Sequence, residues 1–131
     1  MESIDHIAIA IPQAEAVSLW EKLLGAPPFH VEEVPAQGVK VYFFQVGPTK
    51  VELIEPLSPE SAVARFIEKK GGGLHHIAFY TENLIEEINR LRDMGFSPLQ
   101  DTPQPAALGK QAVFFHPKTF TGVLVELVSF P

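Results

Sequence analysis

Residues Leu74-His75-His76-Ile77-Ala78-Phe79-Tyr80 repeat the opening Ile4-Asp5-His6-Ile7-Ala8-Ile9-Ala10, and Val51-Glu52-Leu53 returns as Val125-Glu126-Leu127. His6 and His76 lie 70 residues apart, as do Gly25 and Gly95, whereas Glu52 and Glu126 lie 74 apart. The extra residues fit in the loop His116-Pro117-Lys118-Thr119-Phe120-Thr121-Gly122, which the first half shortens to Gly47-Pro48-Thr49. A chain that repeats itself at this period folds as two copies of one supersecondary unit. With one His and one Glu per copy, it is expected to gather His6, Glu52, His76 and Glu126 about a pseudo-twofold axis.

Each copy reads β-α-β-β-β. Residues 4–11 are rich in Ile and end at Pro12. Ala16, Val17, Trp20, Leu23 and Leu24 then fall at helical spacing, and Gly25 stops the helix. Strands are expected over Phe29–Val34, Val39–Val46 and Lys50–Glu55, the first suited to a sheet edge by Glu32, Glu33 and Pro35. In the second copy a strand over Leu74–Tyr80 leads to a helix capped by Asn83 with Glu86 and ending at Gly95. Strands are then expected near Phe96–Gln100, Gln111–His116 and Val123–Ser129. A linker helix joins the copies, with Ser58 as its cap, Pro59 in its first turn and Gly71-Gly72-Gly73 as its stop. The reading is one domain of two modules, about residues 1–57 and 74–131, with the linker over 58–73.

A chain of 131 residues, 46% hydrophobic, is long enough for a proper core. A net charge of −6 argues against general nucleic-acid binding, though not against one phosphorylated substrate. The absence of cysteine excludes disulfides and thiolate metal sites. No secretory signal and no membrane-length apolar run is visible, so a soluble, cytoplasmic protein is expected.

Side chains alternate across a strand. His6 therefore shares a face with Ala8 and Ala10, where small residues leave room, while Ile7, Ile9 and Ile11 form a bulky face for helices to cover. Glu126 is set in the apolar run Val123-Leu124-Val125-Leu127-Val128, where an unpartnered carboxylate would be very costly. Two imidazoles and two carboxylates suit Mn, Co, Ni, Fe or Zn as divalent ions and leave positions open for substrate. His75 points away from His76, toward a helix. His30 reads as a surface residue and Glu55 as solvated. His116, before Pro117-Lys118, either caps its loop or meets substrate.

These residues resemble the vicinal oxygen chelate superfamily and, within it, the methylmalonyl-CoA epimerase family. The stretches that carry the resemblance are Ile4 to Ala8, Val51 to Leu57, Ser61 to Phe66, Gly73 to Phe79, His116-Pro117-Lys118 and Gly122 to Leu127. The resemblance implies an α+β fold of two β-α-β-β-β modules, a cupped, partly open eight-stranded barrel around one divalent metal held by His6, Glu52, His76 and Glu126, in a homodimer. It also implies interconversion of the 2R and 2S forms of an acyl-CoA, methylmalonyl-CoA. The C2 proton there lies between a thioester and a carboxylate, so its removal gives an enediolate-like anion that a metal stabilises. Inversion needs two acid/base groups. Glu126 matches one proposed in the family. Some members carry the other as a glutamate where this chain has Val41, leaving Glu52 as a substitute. Lys40, Lys110, His116 and Lys118 are the candidates for contacts to the substrate and its phosphates. The alternatives are a glyoxalase I-like lyase and a metal-free binding module of the same fold.

Overall fold

The computed structural model describes all residues, Met1–Pro131. It divides into two compact units. One comprises His6–His75; the other comprises Met1–Asp5 with His76–Pro131.

In the first unit the strands are β1 (Ser3–Ala10, from His6), β2 (His30–Val34), β3 (Val39–Val46) and β4 (Thr49–Pro56), in the order β2-β3-β4-β1. β2–β3 and β3–β4 are antiparallel and β4–β1 is parallel. Between β1 and β2 a 3-10 turn runs into α1 (Val17–Leu24). The Ile face of β1 is covered as the alternation implied, with Ile9 and Ile11 packing among Val17, Trp20, Leu24, Tyr42, Phe44 and Leu53. That leaves the His6–Ala8–Ala10 face for other work.

The linker helix α2 (Ala62–Lys70) starts later than the sequence suggested. Ser61, not Ser58, is the cap, its Oγ accepting the Ala64 N–H at 3.1 Å. The Ser61 N–H is turned back to the Ser58 carbonyl, closing a turn that keeps Pro59 outside the helix. Gly71 ends the helix in the left-handed conformation. Gly72 is needed for a different reason. A Cβ there would stand 2.9 Å from the Ala10 carbonyl oxygen, so the chain passes β1 too closely for any side chain.

In the second unit β5 (Gly73–Tyr80, from His76), β8 (Val125–Ser129), β7 (Gln111–Phe115) and β6 (Gln104–Pro105) follow in that order. β5–β8 is parallel and β8–β7 and β7–β6 antiparallel, as in the first unit. Helix α3 (Leu84–Asp93), capped by Asn83 Oδ1 on the Glu86 N–H, buries Leu84, Ile88 and Leu91 against Val113, Phe115 and Leu127. The strand expected over Phe96–Gln100 does not form, and a two-residue β6 takes its place farther on. Pro98, Pro103 and Pro105 remove the ladder donors a longer strand would need. A mixed arrangement substitutes: Leu99 N–H donates to the Phe114 carbonyl, and Gln100 Oε1 accepts from the Phe114 N–H.

The α+β class and the β-α-β-β-β order of each half agree with the sequence reading. No helix is long and apolar enough to cross a membrane.

Candidate active site

Each half carries one buried His–Glu pair, built the same way. In the first unit Glu52 on β4 lies across from Ala8 on one side and Phe43 on the other. In the second, Glu126 on β8 lies across from Ala78 and Phe114. The histidine comes two residues before the alanine, on the same strand face. Both alanines are fully buried, so the space a larger side chain would fill is available for the imidazole to lean toward the glutamate. His6 Nδ1 is 3.0 Å from Glu52 Oε2, and His76 Nε2 is 2.9 Å from Glu126 Oε1. The phenylalanine closes the other side, with the His76 ring set edge-on to Phe114 at 5.3 Å.

All four residues are buried, Glu126 to 2% and Glu52 to 4% exposure. A carboxylate so far from water persists only with a charged or hydrogen-bonding partner, and each imidazole supplies one. The repeats diverge in one detail, for His6 turns Nδ1 to its glutamate and His76 turns Nε2. Imidazole nitrogens and carboxylate oxygens are suitable donors for a first-row divalent cation, and no competing thiolate exists in the chain. The residues present therefore fit a metal of that kind.

The other sequence candidates fall in varied places. Lys40 lies between Glu33 and Glu55 in the sheet register, one residue out of phase with Val41 and Phe43. Its face is the one α1 covers, opposite His6 and Glu52, and its Nζ stands 5.6 Å from the Tyr42 ring centre. Lys110 has a partner within its own unit. Its ammonium is bonded to Asp5, with the side chains only 10% and 7% exposed, and lies near the rings of Tyr80 and Phe130. His116 caps its loop, its Nδ1 accepting the Lys118 N–H at 3.0 Å. It and Lys118 remain exposed. Val41 is buried and has no proton to exchange. His75 meets Phe66 of α2 edge-on, the helix-facing position its parity implied. His30 is exposed and 3.2 Å from Glu32.

Two partnerships were missed. Glu55 is not merely solvated; it accepts a 2.8 Å hydrogen bond from Tyr42. Burial first, then that hydrogen bond and the charges of Glu55 and Glu15, pushes the Tyr42 phenol up to about 12. Asp5 is the second. The reasoning that singled out Glu126, a carboxylate in an apolar strand, applied equally to it. Its partner, 105 residues away, had no signature in the sequence.

A family model described as the glyoxalase/bleomycin resistance protein/dioxygenase superfamily matches residues 5–114. The chain belongs to that superfamily. Among its relatives is the ethylmalonyl-CoA/methylmalonyl-CoA epimerase of Cereibacter sphaeroides, 39% identical over 127 residues that make up 95% of each protein. The Bacillus subtilis protein YqjC, described as uncharacterized, is 45% identical over 97% of this chain and 91% of its own length. A solved methylmalonyl-CoA epimerase in complex with methylmalonyl-CoA and ammonium matches with a TM-score of 0.92 at 36% identity, covering 98% of this chain and 94% of that one.

Proposed function

We propose that this chain is a metal-dependent methylmalonyl-CoA epimerase, interconverting the 2R and 2S thioesters. The observation that carries the reading is the twice-built buried His–Glu pair, in a chain whose relatives include epimerases of that name. His6, Glu52, His76 and Glu126 would hold one divalent cation. Bound there, the cation would lower the energy of negative charge gathering on the thioester oxygen.

The remaining steps belong to the protein. A Glu126 carboxylate oxygen accepts the proton from substrate C2, and the electrons of the broken C–H bond move onto the thioester carbonyl. The planar carbon is then protonated from its other side, and the carbonyl re-forms. Removing and returning the proton on one side would restore the starting epimer, so a second proton carrier must face the opposite side. Glu52, the other carboxylate of the metal set, is paired with His6 as Glu126 is with His76 and is the candidate for that role within the set. His76, bonded to Glu126, fixes which oxygen is presented. The surrounding apolar side chains, Phe114 among them, keep water from the developing anion. The exposed His116 and Lys118 are the residues for the phosphates of the CoA nucleotide. Assembly as a homodimer is part of the same reading and is tested by light scattering.

The deciding experiment is incubation of each methylmalonyl-CoA epimer with the protein in deuterated water. Deuterium should enter C2 of both, and chelation should stop it until a divalent ion is restored. Turnover of a glutathione hemithioacetal without exchange at C2 would assign the chain to lyase chemistry. Binding without metal or turnover would make it a ligand carrier.

A further inference from the structure

The proposed reaction needs a second proton carrier, and the strand register of the first unit offers a candidate. Across β2, β3, β4 and β1 the residues His30, Phe43, Glu52 and Ala8 lie in one row. The next row is Glu32, Val41, Ile54 and Ala10. Residues directly opposite one another on neighbouring strands point to the same side of the sheet. His30 and Glu32 are therefore on the face that bears Glu52 and His6, with two strand spacings, about 10 Å, separating β2 from the strand of Glu52.

What lies between is apolar and closed. Val41, Phe43, Ile54, Ala8 and Ala10 are each no more than 3% exposed and carry no ionisable group. Apart from the His6–Glu52 pair, the titratable residues on this face of the sheet are His30, Glu32 and Lys50. Lys50 lies in the row of His6, and an ammonium has no lone pair with which to accept a proton. Glu32 is held by His30, whose Nε2 is 3.2 Å from its Oε1. The His30 ring in turn rests on Phe43, 5.4 Å away between ring centres. The two side chains are 30% and 44% exposed, open to a ligand arriving from solvent, in contrast to the sealed Glu52.

We propose that Glu32 is the second acid/base of the epimerisation and that His30 is the residue positioning it. This rests on the epimerase reading. In one direction Glu126 takes the C2 proton and the C–H electrons pass to the thioester oxygen. The protonated carboxyl of Glu32 then gives its proton to the other side of C2, the carbonyl re-forms, and Glu32 is left as the carboxylate. The reverse reaction exchanges the two roles, and exchange with solvent resets both groups. Glu52 is left to the cation.

The test measures epimerisation and C2 deuterium exchange separately, starting from each epimer. In Glu32→Gln, epimerisation should fall by about 10²–10⁴-fold. The epimer whose proton faces Glu126 should still exchange at close to the unmodified rate, while the other epimer stops exchanging. Glu32→Asp should recover part of the loss, and His30→Asn should lower kcat with KM little changed. The proposal is overturned if Glu32→Gln epimerises normally, or if exchange is lost from both epimers alike while the melting temperature and metal content stay unchanged. Should the unmodified protein exchange neither epimer, the epimerase reading itself falls. That result is distinct from either failure of Glu32.

Discussion

Lys110→Met separates two roles that one residue could play. Methionine keeps most of the apolar stem beside Tyr80 and Phe130 and removes the ammonium bonded to Asp5. Deleting one member of a buried ion pair costs about 3–5 kcal/mol, because the remaining charge stays out of water. Asp5 keeps its other contacts, so the lower figure applies, about 3 kcal/mol. Unfolding entropy of about 2.1 cal/mol/K per residue gives about 0.28 kcal/mol/K for a chain of 131 residues. The melting temperature should therefore drop by about 11 °C. Asp5→Asn combined with Lys110→Met should lose less than the two single changes added together, since both remove the same interaction. Differential scanning calorimetry supplies these numbers. Steady-state kinetics well below both transitions supply the rest, and KM for the CoA ester should be unchanged. A variant that melts with the parent protein but shows a tenfold higher KM would refute this structural account and return Lys110 to the substrate.

Tyr42 should ionise late. With its folded value raised to about 12 from 10.0, the protonated phenol favours the folded state. That contribution is complete below pH 10 and lost as pH rises toward 12, so the alkaline limb of a pH–stability curve should be shallower in Tyr42→Phe, while ultraviolet titration confirms the late phenol. Ala78→Val adds two methyl groups across from Glu126 at a site with no exposure; it should cost about 1–3 kcal/mol in chemical denaturation and weaken divalent-ion binding measured by calorimetry. Gly72→Ala should cost about 1–3 kcal/mol, more than Gly25→Ala, because its Cβ would press on Ala10 whereas that of Gly25 meets nothing within 4 Å. Equal losses in urea melts would show that backbone conformation alone sets both costs.

The repeat made most of this arrangement legible. Strand parity placed His6 and Ala8 on one face and the isoleucines on the other, because alternation is a local property of the backbone. The same parity, applied to Lys40, would have removed it from the site face in advance. Features depending on distant partners were not legible. Asp5 finds Lys110 through the folded chain, and Tyr42 finds Glu55 across a strand pair. The Phe96–Gln100 segment failed for another reason: its apolar residues invited a strand, but nearby prolines withdrew the donors and a glutamine side chain took up one of the backbone's bonds. The linker cap moved three residues because Ser58 and Ser61 are chemically alike and a turn between them decided which was used. Glu32 and His30 look like ordinary edge residues until the register aligns them with Glu52.

The first five residues belong with the second half of the chain. During synthesis Asp5 must wait for a further 105 residues before Lys110 exists to receive it. Such a far-separated closure is slow relative to the local hairpins, so the amino terminus should be among the last segments to dock. Cutting the gene between the modules and expressing the pieces separately would deprive the later fragment of the five residues that carry Asp5. Moving those five codons to the front of that fragment would restore what it lacks.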